Sequence, residues 1–406
     1  MFHTENMREF GYICLLSFKQ MPLMKKIITI AAGMLFAAAA LCSAQENFGR
    51  SAVVSPQVGA DSVVFRFNGP YATVVKLFPS WMGFGKSVDM AKDSKGMWTV
   101  KLPNPASDLY TYYFTVDGAR TLDPANILVQ RDGSTYTNAV LIGGGDADLY
   151  KEADKRGDMH LQWYWSATDG MERRMYVYTP YGYDKGKNYP VLYLLHGGGG
   201  DEDAWSTLGC TRQILDNLIQ QGKAKPMIVV MPNGNPGQYA AQTLKLEEKK
   251  IERKFTNNFH NYQSLVADIV PFIESHYKVS RKRADRAVAG LSMGGGQSFF
   301  VAFDDVDKFA SVGIFSTGLF GGNIGMGKFD AEKEMPGMLS NPQKFNRMQL
   351  FYVSCGEQDP RLAGTNEVVD TFRKHGYDVI YETYTGNHEW RVWRRSLSSF
   401  VQKLFK

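Results

Sequence analysis

One stretch constrains this chain more than any other: residues 286–300, reading RAVAGLSMGGGQSFF. The short apolar run 287–289 reads as the end of a buried strand. Gly290-Leu291-Ser292-Met293-Gly294 then fits the pattern G-x-S-x-G, and residues 297–303 can continue as a helix. Strand, sharp turn, helix is the context in which this pattern forms a nucleophile elbow. Glycine at both ends lets the backbone take a turn that a Cβ would block. Such a turn lifts the Ser292 hydroxyl clear of the sheet and sets the first helical N–H groups beside it. The pentapeptide alone is weak evidence, since chance gives roughly 0.2 copies in a chain of this glycine and serine content. The surrounding pattern has to decide.

From residue 159 onward that pattern is an alternation of strands and helices. Residues 189–195, 227–231, 309–315 and 350–354 are continuous apolar runs, as in strands buried on both faces. Residues 175–179 and 379–384 are two further strand candidates. Helical patterns cover 212–221, 262–277, 366–375 and 390–405, with Gly222 and Gly376 as stop signals. Strands alternating with helices imply an α/β fold with a parallel sheet wrapped on both sides.

Residues 46–145 read differently. The runs 62–67, 72–78, 97–102 and 110–116 are β-branched or aromatic, and Gly, Pro, Asp or Asn separate them at short intervals. This is the signature of an all-β sandwich. Its aromatic residues are expected in the core, with a sugar-facing use of Trp81 or Tyr110 as the minority reading. The polar, Gly-rich stretch 143–157 reads as a linker and places the domain boundary near 150, giving parts 45–150 and 151–406.

The first 44 residues have the layout of an export signal. Lys25 and Lys26 form a basic start after Met24, residues 27–41 are an Ala-rich apolar run, and Cys42-Ser43-Ala44 offers small residues for cleavage. The run is short for a membrane span. Leu41 is large for the position before a lipidated cysteine, so Cys42 favours simple cleavage. The expected location is secreted, either periplasmic or at the cell surface. Without this segment the net charge falls from +5 to +3. That is too mild to argue for nucleic acid or an acidic membrane surface. Cys210 and Cys355 remain, and two buried free thiols are expected rather than a disulfide. No spacing suggests a metal.

A nucleophilic Ser292 needs a base, an acid to orient it, and an oxyanion hole. In this fold class the chain order is Ser, then Asp or Glu, then His. His375 sits at a helix end beside Lys374, where a solvated or C-capping role is expected. His388 lies in a tight loop after the last strand and is the expected base. Asp359, in the loop after strand 350–354, is the expected acid, with Glu357 as the alternative. Met293 N–H supplies one oxyanion donor. Gly197 or Gly198, in the Gly197-Gly198-Gly199-Gly200 run that ends an earlier strand, supplies the other, with His196 holding the loop. No Lys-Ser/Thr follows those glycines, which argues against a phosphate cradle.

The segments 189–205, 228–234, 286–295 and 386–394 resemble carbohydrate esterase family 1, which includes feruloyl and acetyl xylan esterases and is related to the esterase D group. The resemblance covers about residues 160–406. It implies an α/β-hydrolase fold with Ser292, Asp359 and His388 as triad, and Met293 and the Gly197 region as oxyanion hole. Asp123-Pro124 and Asn126, after Val116-Asp117-Gly118, make the first part resemble an early-set, family-48-like module, an immunoglobulin-like sandwich. The implied function is release of hydroxycinnamic acids from xylan, with plant polysaccharide esters as partners and no cofactor. Acetyl xylan esterase, siderophore esterase and a non-catalytic carbohydrate-binding protein are the alternatives. Trp205 and Trp390 are expected either to line an aromatic acyl pocket or to pack beneath the loops. Residues 238–258 and 318–348 match nothing in the family pattern.

Overall fold

The apolar runs of the second half pair into one eight-stranded sheet. Its strands are β1 (Asp158–Ser166), β2 (Met171–Thr179), β3 (Val191–Leu195), β4 (Ile228–Pro232), β5 (Arg286–Leu291), β6 (Ser311–Phe315), β7 (Leu350–Gly356) and β8 (Val379–Tyr384). They lie in the order β1-β2-β4-β3-β5-β6-β7-β8. The first two neighbouring pairs, β1/β2 and β2/β4, are antiparallel, and from β4 through β8 every pair is parallel. This computed structural model describes residues 53–83, 85–183, 187–235, 238–240, 263–320 and 328–406. The export segment and most of 238–258 therefore lie outside the described residues.

Helices cover both faces, as the sequence pattern requires. On one face α2 (Val270–His276), α3 (Met293–Asp304) and α4 (Leu362–Lys374) bury Ile273, Phe299, Phe300, Val368 and Phe372 against Val230, Val288 and Val353. On the other, α1 (Thr211–Gln220) and α5 (Trp390–Lys403) bury Ile214, Leu218, Leu397 and Phe400 against Leu192, Val229 and Ala289. Strands β3 through β7 are buried along their whole length, which is why they read as unbroken apolar runs.

Three boundaries depart from expectation. The expected helix 262–277 is interrupted by a π-helical turn at Leu265–Ile269, just before Pro271, which has no N–H to give to the preceding turn. Helix α3 begins at Met293, four residues earlier than expected, although three glycines make a weak helix start. Strand β1 was not expected. It is an edge strand whose alternation is inverted: Leu161, Trp163 and Trp165 face outward and are exposed, while the inward row is His160, Gln162, Tyr164 and Ser166.

Residues 57–142 form two antiparallel sheets. One has four strands, with Ser62–Asn68 and Met97–Pro103 at its centre; the other has six, with Asp108–Val116 between Val75–Pro79 and Thr135–Ile142. Val63, Phe65 and Trp98 from the first share a core with Leu77, Tyr112, Phe114 and Val140 from the second. Phe65 meets Tyr112 edge-on at 4.7 Å between centroids. Tyr110 is buried, packs edge-on to Trp81 and donates its hydroxyl to Ala106 O, which leaves it no sugar-facing surface, whereas Trp81 is partly exposed. The hairpin of Val129–Asp132 and Thr135–Ile142 escaped the sequence reading because the residues flanking its turn, Gln130 to Asp132 and Thr135 to Asn138, are mostly polar.

The stretch 143–157 is packed rather than a solvated tether. Gly145–Tyr150 forms a 3-10 turn with Ala147 and Tyr150 buried against α1. Asn217 donates to the carbonyls of Leu149 and Lys151, and Gly157 N–H donates to the Asp216 carboxylate. Leu109 and Ala139 enter the same apolar cluster as Ile214 and Leu397. The buried Arg394 donates to the Asp108 carboxylate and to the Leu109 and Leu208 carbonyls. Residues Val54–Lys406 accordingly form one compact unit.

Candidate active site

Ser292 sits at the tip between β5 and α3, with φ 51° and ψ −111°. No L-residue favours that backbone, and it holds only where neighbours over-determine it. Here they do. Ser292 N–H donates to Phe315 O at 2.8 Å. A Cβ on Gly290 would lie 2.4 Å from Gly294 C and O, and a Cβ on Gly294 would lie 2.5 Å from the Leu195 and His196 carbonyl oxygens. Both glycines of G-x-S-x-G are therefore required by close backbone approach, and that approach outweighs their poor helix propensity.

The three residues expected to act together are brought together. Ser292 Oγ lies 3.0 Å from His388 Nε2, and His388 Nδ1 lies 2.7 Å from Asp359 Oδ2. A carboxylate can only accept here, so Nδ1 carries the proton and Nε2 is left to accept from the serine hydroxyl. Asp359 follows β7, and its N–H closes a turn onto Gly356 O. The His388 loop follows β8 and is laced to the Asp359 loop: Gln358 N–H donates to Gly386 O, and Gly386 N–H donates to Gln358 Oε1. Burial alone would raise the Asp359 carboxyl. The hydrogen bond from His388 and those from Arg361 outweigh it and hold the group below its ordinary value. Glu357 is exposed and takes the Thr385 hydroxyl, so the alternative acid is not beside His388.

Gly197 packs against the nucleophile turn, where a Cβ would lie 3.3 Å from Ser292 Cβ and 2.5 Å from Leu291 Cδ1. Gly198 is exposed, with open space where a Cβ would be. His196 is buried and holds this turn as expected. Its Nδ1 donates to Gly197 O at 2.7 Å and its Nε2 accepts from Gly234 N–H at 2.9 Å. Burial, the largest effect, lowers its pKa, consistent with a neutral ring that both donates and accepts.

The aromatic residues require a correction. Trp205 is 1% exposed, donates to Leu195 O and packs edge-on against Trp390 at 5.2 Å. It packs beneath the loops and is no part of an open acyl pocket. Trp390 is half-buried. The tryptophan against the reacting groups is Trp393, which the sequence reading passed over. Its ring meets His388 edge-on at 4.9 Å and 86° and meets Trp390 at 5.1 Å. The Trp390/Trp393 spacing on one helix face was the available signal.

Cys210 and Cys355 are both buried and free. Of the segment 318–348, residues 321–327 lie outside the described residues. In the remainder Leu319, Phe320, Met335, Met338 and Phe345 enter the core beside α3 and α4. Among the described residues no cluster of three metal-ligating side chains is found, and no helix is long and apolar enough to cross a membrane.

Comparison with known proteins places the chain. The family described as "Putative esterase" matches residues 166–404, more than half of the sequence. The chain belongs to this esterase family. The endo-1,4-beta-xylanase/feruloyl esterase of Xylanibacter ruminicola is 30% identical over 363 residues, which is 86% of this chain and 46% of that protein. The esterase chain thus spans less than half the length of that relative. Among solved structures, the feruloyl esterase module of Clostridium thermocellum complexed with sinapinate has a TM-score of 0.52 at 24% identity, covering 64% of this chain and 92% of the module. The enterobactin esterase of Shigella flexneri has a TM-score of 0.61 at 12% identity, covering 85% and 94%. These likenesses establish an α/β-hydrolase fold for the esterase. The Shigella likeness extends over more of the chain than the Clostridium one.

Proposed function

We propose that the chain is a secreted serine carboxylic-ester hydrolase that releases hydroxycinnamic acids from feruloylated xylan. The observation that carries this is the hydrogen-bonded line Ser292–His388–Asp359 within an esterase-family fold. Ser292 Oγ attacks the ester carbonyl carbon while His388 Nε2 takes its proton. The oxyanion rests on the N–H groups of Met293 and of Gly197 or Gly198. The tetrahedral intermediate collapses to an acyl-enzyme, and the His388 proton passes to the departing sugar hydroxyl. Water then gives a proton to His388, attacks the acyl carbon, and releases the acid as the proton returns to Ser292. Asp359 stays ionised and holds the imidazole in the tautomer this requires. Every step is assigned to side chains, backbone N–H groups and water.

The acyl preference rests on the likeness to the Xylanibacter endo-1,4-beta-xylanase/feruloyl esterase, which matches this chain over 86% of its length. Trp390, half-buried and packed on Trp393, which itself meets His388, is the residue assigned to the acyl group in this proposal. Export through residues 1–44, and a glycan-contacting role for the all-β part as an immunoglobulin-like, family-48-like module, belong to the same proposal. The test is a hydrolysis panel of methyl ferulate, acetylated xylan, feruloylated arabinoxylan and a catecholate siderophore ester, with a fluorophosphonate probe. Ferulate release exceeding the others and labelling abolished by Ser292→Ala are expected. Full activity in Ser292→Ala would overturn the mechanism, and preference for another ester would overturn the substrate.

A further inference from the structure

The Gly197–Gly200 turn is followed at once by Asp201, Glu202 and Asp203, and all three carboxylates are buried. Burying three negative charges beside a turn is costly unless each is paired. Glu202 is held from within the α/β part: Arg174 Nε donates at 2.9 Å and Asn233 Nδ2 at 3.0 Å. Asp201 and Asp203 are held from outside it. Arg131, on strand Val129–Asp132 of the all-β part, gives Nη1 to Asp201 Oδ2 at 2.7 Å, Nη2 to Asp201 Oδ1 at 2.9 Å, and Nη2 to Asp203 Oδ2 at 2.6 Å. Its side chain is 11% exposed, and those of the two acids 7% and 8%. The other cation near Asp203 is Arg174 Nη2, at 3.5 Å.

The same hairpin touches the turn directly. At its tip a Cβ on Gly133 would lie 2.8 Å from Gly199 O. Arg131 Nη1 also donates to Gly133 O at 2.7 Å, so one guanidinium binds the hairpin tip and both acids. Gln130 Nε2 donates to Thr207 O at 3.2 Å, which fixes the short helix after the acids. The backbone donors that would face a reacting carbonyl thus hang from a turn with two supports, His196 on the sheet side and Arg131 on the side of the all-β part.

We propose that Arg131 is a positioning residue for ester hydrolysis, fixing the Gly197–Gly200 turn through Asp201 and Asp203 and so making the all-β part a component of the catalytic unit. The proposal rests on Ser292 being the nucleophile. Without the guanidinium fork Asp201 is left with the Asp203 N–H and Asp203 with Arg174 at 3.5 Å, and the turn moves to hydrate the two undercompensated carboxylates. The attacking line Ser292–His388–Asp359 lies on other loops and stays in place.

The experiment uses the full chain carrying Arg131→Met, and separately Arg131→Lys, which keeps charge but not the planar fork. Three quantities are measured: kcat and KM for 4-nitrophenyl acetate, affinity for phenylboronic acid, and the far-UV spectrum. Boronate adds to Ser292 Oγ and places an oxygen in the oxyanion site, so it reports donor placement without turnover. For Arg131→Met kcat is expected to fall about 100-fold, the size of losing one oxyanion donor. Boronate affinity should fall in parallel and KM should stay within about threefold. Arg131→Lys should lose about tenfold in kcat and in boronate affinity, and it carries the test alone where Arg131→Met does not fold. A folded variant with wild-type kcat and boronate affinity overturns the proposal. So does a loss of kcat that merely tracks the folded fraction. If the Ser292 reading itself fails, the wild type binds no boronate and takes no fluorophosphonate label, which separates the two failures.

Discussion

Asp359 turns one carboxylate oxygen to His388 Nδ1 at 2.7 Å and gives the other to Arg361, which donates its N–H at 3.0 Å and a guanidinium N–H at 3.2 Å. Asp359→Asn keeps the shape and can present an N–H where His388 also has one, which favours the wrong tautomer. A fall in kcat of about 10⁴-fold is expected, with KM little changed. The folded pKa of Asp359 is depressed, so its contribution to stability is present above the unfolded value and is lost as pH falls through the lower folded value. The stability gap between wild type and Asp359→Asn, followed by urea melts, should therefore hold from pH 5 to 8 and close below about pH 4.

Trp205 and Trp393 have different roles, one packing beneath the loops and the other against the catalytic imidazole. Trp205 is fully buried with its N–H satisfied, so Trp205→Ala should cost about 3–5 kcal/mol of stability. Whatever folds should retain its KM for a feruloyl ester. Trp393 touches His388, so Trp393→Leu should lower kcat about tenfold with KM nearly unchanged, because aromatic pairs of this geometry are worth about 1 kcal/mol. Steady-state kinetics beside thermal melts of both variants checks the division.

Chain order was enough to locate Ser292, Asp359 and His388, because an α/β sheet delivers the ends of β5, β7 and β8 to one edge and loops there can hold little else. The buried strands were legible for a related reason: both faces must be apolar. What lay beyond reach depended on contacts between distant segments. Arg131 reads as a surface arginine in a polar hairpin until Asp201 and Asp203 are seen beside it, seventy-odd residues away in sequence. Trp205 and Trp390 are equal as letters, and only burial against Leu195 O distinguishes one from the other. Stretch 143–157 has the composition of a tether, yet Asn217 and Asp216 take its backbone groups.

Glu382, on β8 and outside the Ser292–His388–Asp359 line, predicts a second acid-range effect. Burial pushes its carboxyl up, but hydrogen bonds from Ser399, Tyr384, Lys403 and Tyr352 outweigh that and bring it down to about 2 from 4.5. A depressed acid contributes fully above 4.5 and loses its contribution as pH falls toward 2. Glu382→Gln should cost about 2 kcal/mol at pH 7, allowing for partial exposure. Wild type and variant should converge in urea midpoint between pH 4.5 and 2, with esterase turnover at pH 7 unaffected in the folded variant.

Strain at the nucleophile gives the last expectation. Ser292 holds φ 51° and ψ −111° because Phe315 O takes its N–H and Gly290 and Gly294 leave no other path for the chain. A backbone of this kind costs about 1–3 kcal/mol for a residue with a Cβ and little for glycine. Ser292→Ala keeps the Cβ and loses the hydroxyl, while Ser292→Gly loses both. Each should abolish turnover, by about 10⁶-fold if Ser292 attacks the ester. They should nevertheless differ in melting temperature, with Ser292→Gly above Ser292→Ala by about 2 °C. Glycine also gains freedom in the unfolded chain, which works in the opposite direction by about 0.5–1 kcal/mol. A higher melting point for Ser292→Gly therefore requires that the relieved strain exceed that entropy. Equal or lower melting would mean that the turn, although tightly held, stores little energy at Ser292.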